Sequence, residues 1–259
     1  MTWEASLVVR AALLPLRWGR SGHAGQSSMG STLRRMRITF PSGTAAEVAR
    51  PRPIGGGPPH DVDRGLVLIP DIGGLRPLFD EQCQWLANES GSTVVAFEIW
   101  PDHPGTSLEW RLGNVREIDH ERLIADVQSA ADATDAATVG VLGFCMGGMF
   151  TFQAAGTGRF HRAVPFYGMI RIPDAWSHPA LVEPLKAVRA PGACPVLTVV
   201  GTADPYTPPA DVADAEAAGV TVVSYEGADH GFVHDPTRPS HRADDAADAW
   251  RRAIAFLAE

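Results

Sequence analysis

The chain has 259 residues, of which 45% are hydrophobic and 20% charged, and a formal net charge of −8. This length fits one α/β domain with a single sizeable core, and the acidic balance argues against a general nucleic-acid binder, which carries a basic stripe. Three cysteines (Cys83, Cys145, Cys194) without metal-type spacing indicate neither a disulfide framework nor a zinc site and point to a reducing, cytoplasmic setting.

Residues 1–35 differ from the rest. Residues 7–16 are apolar but broken by Arg10 and Pro15, and residues 19–30 are small and polar. Glu4 ahead of a short, broken run makes a poor signal peptide, and a membrane span needs about 20 apolar residues. A disordered extension is expected there, with Met29 or Met36 as alternative starts, followed by a single folded domain over residues 36–259.

From Met36, residues 37–40 and 45–49 read as strands joined by Pro41-Ser42-Gly43-Thr44, a hairpin signal. Residues 51–59 form a Pro/Gly linker, whose Gly55-Gly56-Gly57 run lacks the Lys-Ser/Thr of a phosphate-binding loop. Residues 65–70 suit a central parallel strand. Residues 77–88 have helical spacing, with Leu78, Cys83, Trp85 and Leu86 apolar, residues 92–99 read as the next strand, and residues 121–133 read as a helix.

The stretch that organises the chain is 139–150, VGVLGFCMGGMF. A β-favouring run stops at Gly143, passes through Cys145 and resumes after Gly147-Gly148 as a helical segment. Gly143-Phe144-Cys145-Met146-Gly147 has the G-x-nucleophile-x-G form of a nucleophile elbow, with cysteine in place of serine. The two glycines are needed because a Cβ at either flank of such a strained turn would strike a neighbouring element. Gly148 adds close helix packing. The sulfur lies near a helix N-terminus, where the dipole favours thiolate. The competing reading is a buried structural cysteine on a Gly-rich turn.

Further on, residues 163–167 read as a strand, and residues 172–190 as a Pro-rich excursion containing Trp176 and His178. Residues 195–204, PVLTVVGTAD, are a strand run with Asp204 just beyond its end, where open α/β sheets gather their sites. The competing reading of Asp204 is an ordinary turn residue before Pro205. Residues 209–218 read as a short helix. Residues 220–232, VTVVSYEGADHGF, are another strand and turn leading to His230 and Gly231. Residues 242–257 form a terminal amphipathic helix. Nucleophile, acid and histidine follow in the order an elbow-type triad requires.

The elbow GFCMGG, the GTAD loop, GADHGF and the segment LVLIPDIGG (residues 66–74) together resemble the dienelactone hydrolase family of α/β hydrolases. The resemblance runs from about Arg37 to the C-terminus. It implies an α/β-hydrolase fold, a mostly parallel central sheet with helices on both faces, and a Cys145-His230-Asp204 triad that hydrolyses a small ester or lactone through an acyl-thioester. It also implies oxyanion donors at the Met146 and Ile72 backbone N–H groups, and a carboxylate, here Asp71, that helps to control the thiol. The family typically has glutamate at that position, so the shorter Asp71 puts the direct contact in doubt. Arginines hold a substrate carboxylate in the member that defines the activity. Here His234 stands where one is expected, and Arg111 or Arg116 could supply another unless they are surface residues. Trp100, Tyr167, Trp176 and Phe232 are candidates to line an apolar pocket, unless, as aromatics at strand ends commonly do, they belong to the core.

The readings kept open are a thiol-dependent ester hydrolase and a non-catalytic small-ligand binding or sensing protein on the same fold. A serine-type esterase is excluded at the elbow. No cofactor, metal, nucleic acid or membrane partner is expected, and the chain is expected to act as a monomer or small homo-oligomer.

Overall fold

Near-continuous apolar runs, such as residues 66–69 and 94–97, dictate a sheet that is buried on both faces. The computed structural model describes residues 35–52 and 63–259. The expected N-terminal extension and most of the Pro/Gly linker lie outside these residues. The hairpin forms as expected from β1 (Arg35–Thr39) and β2 (Ala45–Ala49), beginning one residue before the anticipated boundary. Asp126 pins its turn, accepting from the Ser42 and Thr44 hydroxyls, each at 2.6 Å.

The chain then alternates strand and helix. β3 (Arg64–Ile69), α1 (Pro77–Ser90), β4 (Thr93–Phe97), α2 (Leu108–Gly113) and α3 (His120–Asp132) lead into β5 (Thr138–Phe144) and α4 (Met146–Ala155). There follow β6 (Arg162–Phe166), α5 (Pro184–Val188), β7 (Leu197–Gly201), α6 (Pro209–Ala217), β8 (Thr221–Tyr225) and α7 (Ala243–Ala258). The sheet order is β1-β2-β4-β3-β5-β6-β7-β8. Only β1–β2 and β2–β4 pair antiparallel, and every other neighbouring pair is parallel.

Side chains two residues apart on a strand share a face, and the core divides accordingly. Val67 and Ile69 of β3 join Val95 and Phe97 of β4 in one cluster with α3 and α4 residues. Leu66 and Leu68 join Val94 and Ala96 in the other, with Phe79, Cys83 and Leu86 of α1 and Trp250 of α7. Helices thus cover both faces.

α2 was not expected from the sequence. It is six residues long, started by the Ser107 hydroxyl accepting the Trp110 N–H at 3.1 Å, and too short to display a period. The Pro-rich excursion contains α5 and a single 3-10 turn over Asp174–Trp176. Because β3, β5, β7 and β8 run parallel, the residues after their last positions all emerge at one edge.

Candidate active site

Between β5 and α4 the chain turns at Cys145, whose φ of 56° and ψ of −120° put it in a region that side chains seldom occupy. Holding a residue there costs on the order of 1–3 kcal/mol, and two backbone bonds maintain it. Cys145 N–H donates to Phe166 C=O at 3.1 Å, and Met149 N–H to Cys145 C=O at 3.0 Å. The flanking glycines are required sterically, as expected. A Cβ on Gly143 would lie 2.5 Å from the Gly147 carbonyl oxygen, and one on Gly147 would lie 2.1 Å from that of Pro70. Gly148 meets the Gly168 backbone at 2.7 Å by the same construction, so α4 packs directly on the segment after β6. The Cys145 side chain is half-buried.

The acid and the histidine arrive from the ends of β7 and β8. His230 Nδ1 lies 2.8 Å from Asp204 Oδ2, and the other Asp204 oxygen accepts the Tyr206 N–H at 2.8 Å. Gly201 allows this approach, since a Cβ there would fall 2.2 Å from the Ala228 carbonyl oxygen. Burial alone would push the His230 pKa down; the hydrogen bonds to Asp204 and to the Cys145 sulfur, with the charges of both, outweigh it and carry the pKa up to about 10. The rings of Tyr167 and Tyr206 stand edge-on to His230, at centroid distances of 5.2 and 4.9 Å.

Beside Cys145, His230 and Asp204 runs a second row of polar groups, of which Asp71, His234 and Tyr167 are buried. Asp71 takes a two-pronged contact from Arg76 at 2.6 and 2.9 Å, the Gly73 N–H at 2.8 Å and His234 Nε2 at 2.8 Å. Burial opposes its charge, but the His234 and Arg76 bonds hold its carboxyl well below the usual carboxylate range. Burial lowers the His234 pKa, so the ring is neutral. A carboxylate only accepts, hence Nε2 carries the proton and Nδ1 accepts from the Tyr167 hydroxyl at 2.5 Å. Tyr167 itself has a φ of +39°.

The same loop bears on Ile72. Gly74 N–H donates to the Asp71 carbonyl at 2.9 Å. A trans peptide directs its N–H opposite its C=O, so this bond turns the Ile72 N–H away from the Gly74 side. Trp100 Nε1 donates to the Ile72 carbonyl at 2.9 Å, and Arg111 Nη1 donates to the Gly73 carbonyl. At the elbow, Met146 is the first residue of α4, where a helix N–H has no partner within the helix.

Asp71 gives its oxygens to Arg76, His234 and Gly73, and among the described residues no hydrogen bond joins it to Cys145, in keeping with the doubt that its shorter side chain casts on a direct contact. Other expected assignments need correction. Trp100, Tyr167 and Phe232 are buried core residues and do not line an open pocket. Trp100 instead braces the Ile72 loop, Tyr167 braces His234, and Phe232 packs on Tyr167 and Tyr225. His234 is likewise enclosed. Arg116 donates to the Asp174 carbonyl at 2.9 Å at the surface. Arg111 is buried and lines a cavity of about 300 Å³ next to Asp71 and Ile72.

Sequence reading missed two further arginines on that cavity, Arg76 and Arg238, together with Thr106 and Leu108. Arg238 lies four residues after His234, the position where a basic residue is expected. Arg76 directly follows the recognised LVLIPDIGG segment by two positions. Tyr206, just after the GTAD loop and 53% exposed, was also passed over.

A model described as the dienelactone hydrolase family matches residues 56–259. The carboxymethylenebutenolidase of Rhodococcus opacus is 29% identical over 206 residues, spanning 74% of this chain and 79% of that protein. A Synechocystis sp. protein provisionally named carboxymethylenebutenolidase is 33% identical over 207 residues, 72% of this chain and 82% of its own length. A solved Klebsiella pneumoniae structure, provisionally described as a dienelactone hydrolase, superposes with a TM-score of 0.73 over 87% of this chain and 98% of its own. At 24% identity that last likeness speaks to the fold.

Proposed function

The chain belongs to the dienelactone hydrolase family, with an α/β-hydrolase fold, and is a carboxylic-ester hydrolase; from that premise we propose that Cys145 opens a small ester or lactone through an acyl-thioester. The observation that carries this reading is the strained Cys145 backbone beside His230, which is itself bonded to Asp204 at 2.8 Å. Those are the parts of an activated nucleophile: a reactive atom, a base within reach and a group that orients the base.

The raised His230 pKa suits the imidazole to hold the proton that Cys145 gives up as it attacks. In this mechanism the Cys145 sulfur adds to the carbonyl carbon. The oxyanion is met by the Met146 and Ile72 N–H groups, and losing one such donor costs roughly 3–4 kcal/mol of transition-state stabilisation. Collapse breaks the acyl–oxygen bond, and His230 gives its proton to the departing alcohol or enol oxygen. Neutral His230 then takes a proton from water, whose oxygen attacks the thioester, and collapse returns the Cys145 thiolate and a carboxylic acid. Asp204 keeps the imidazole's Nδ1–H directed and supports its charge.

Arg76, Arg111 and Arg238 around the neighbouring cavity suit a substrate that carries an anionic group. Arg76 is spent on Asp71 and Arg111 on backbone carbonyls, whereas Arg238 stands 3.8 Å from Asp71 and 4.0 Å from Asp235. It is therefore the guanidinium best placed to engage a substrate carboxylate. A thiol nucleophile also fits a reducing, cytoplasmic setting, and among the described residues no helix is long and apolar enough to cross a membrane.

The test is hydrolysis of p-nitrophenyl acetate and a panel of enol-lactones with and without a carboxylate, by wild type, Cys145→Ala and His230→Ala. Turnover that falls about a thousandfold or more in both variants is the expected result. Undiminished turnover in Cys145→Ala overturns the thiol mechanism.

A further inference from the structure

The Pro-rich stretch at residues 172–190 and α5 have no part in the chemistry above, yet they line a further cavity. It measures about 820 Å³, against about 300 Å³ for the cavity next to Asp71 and Ile72. Its lining includes Gln153 and Gly156 at the C-terminal end of α4, whereas Cys145 caps the N-terminal end. At 1.5 Å per helical residue the two sites lie roughly 12–16 Å apart along α4. α4 and α5 meet closely here, since a Cβ on Gly156 would fall 2.6 Å from the Ala187 carbonyl oxygen.

The floor is formed by buried residues, His120, Gln153, Leu185 and Ala187, and the walls by Ile124, Val182 and Pro191. Two features suggest what such a cleft would hold. The first is His120, which is 3% exposed, and both of whose ring nitrogens lack a hydrogen-bond partner among the described residues. Its ring lies 5.1 Å from that of His178, an exposed residue of the Pro-rich stretch. Burial first, and then the charge of His178, lower its pKa to about 4, so it offers one N–H donor and one acceptor. Polar atoms buried without a partner are uncommon in folded proteins.

The second feature is charge. Asp214 is neutralised by Arg171, and Glu183 accepts the Ile172 N–H at 3.3 Å. Lys186 and Arg189 on the rim have no ion-pair partner among the described residues. Glu183 likewise has no ion-pair partner among the described residues, so the rim carries a net excess of one cation beside the apolar Leu185, Ala187 and Ile124.

We propose that this cleft is a second binding site, separate from the triad, for a small organic anion with an apolar body: the body packs on Leu185, Ala187 and Ile124, and the acidic group meets Lys186 and Arg189. The volume falls in the range of small-molecule sites, which join apolar walls to a few placed polar groups.

The test is fluorescence titration of the intact chain with anilinonaphthalenesulfonate and with N-phenylnaphthylamine, which keeps the rings but lacks the sulfonate. Each is run before and after alkylation of Cys145. Saturable sulfonate binding at one site per chain, unchanged by alkylation, is the expected result. Lys186→Glu with Arg189→Glu should weaken the sulfonate about tenfold, the scale of two partly screened charge contacts, while leaving the neutral probe and ester hydrolysis unaltered. Ala190→Trp, which places a large ring in the cleft, should weaken both probes. Absence of saturable binding, loss of binding on alkylation, or equal sulfonate affinity after charge reversal would each overturn the proposal.

Discussion

At Cys145 the backbone holds a side chain in a conformation it would otherwise avoid, and the compensation comes from Phe166, Met149 and the surrounding glycines. His230 is tuned to match, with a pKa up to about 10 against an ordinary 6.5. A group whose pKa is raised on folding contributes its full stabilisation below its unfolded value and loses it as pH climbs through the folded one. The thermal stability of wild type relative to His230→Gln is therefore expected to be constant up to about pH 6.5 and to decline towards pH 10. A difference that grows across that interval would contradict the assignment. The Asp71-His234-Tyr167 row makes a separate demand. His234→Leu removes a donor from a buried carboxylate and an acceptor from a buried phenol, so urea denaturation should register a loss of about 2–3 kcal/mol. Tyr167→Phe, which removes the hydroxyl's bonds to the His234 ring and backbone N–H, should cost about 1–2 kcal/mol.

Strand ends decide where the chemistry sits, and this explains what could be read in advance. β5, β7 and β8 each announced themselves as apolar runs, and Cys145, Asp204 and His230 stand one, three and five residues past their ends, so the placing of these residues at one edge of the sheet was legible from order and spacing. The surrounding pocket was not. Trp100, Tyr167 and Phe232 also stand just past strand-like runs, but their rings face the core, and an aromatic residue's type does not reveal the face it takes. Arg76 and Arg238 lie in loops that owe their course to Asp71, a contact separated by 167 positions in the case of Arg238 and invisible to local patterning. α2 escaped notice because six residues show less than two helical turns. At this scale the elbow's tolerance can be tested. Gly147→Ala forces a Cβ against the Pro70 carbonyl oxygen at 2.1 Å, and is expected to lower stability by about 1–3 kcal/mol and to displace the thiol enough to depress hydrolysis. Gly192→Ala is the control: a Cβ there meets nothing within 4 Å, and its φ of +82° leaves only backbone strain.

Over the whole molecule, the sheet's two covered faces sequester all thiols but one. Cys83 is fully buried, and burial drives its thiol far out of the reactive range; Cys194 is buried and pushed up to about 11. Cys145 is the half-buried exception. Iodoacetamide near neutral pH should therefore add a single group to the native chain, with all three cysteines reacting after unfolding. Modification of Cys83 or Cys194 in the folded protein would count against the described core. The most direct test of the catalytic account is mass spectrometry of the protein quenched during turnover of a slow ester such as p-nitrophenyl butyrate. The expected result is an acyl group's added mass on the peptide containing Cys145, absent in Cys145→Ala and disappearing as substrate is consumed. An acyl adduct on another residue, or full turnover by Cys145→Ala, would contradict a thioester mechanism at this elbow.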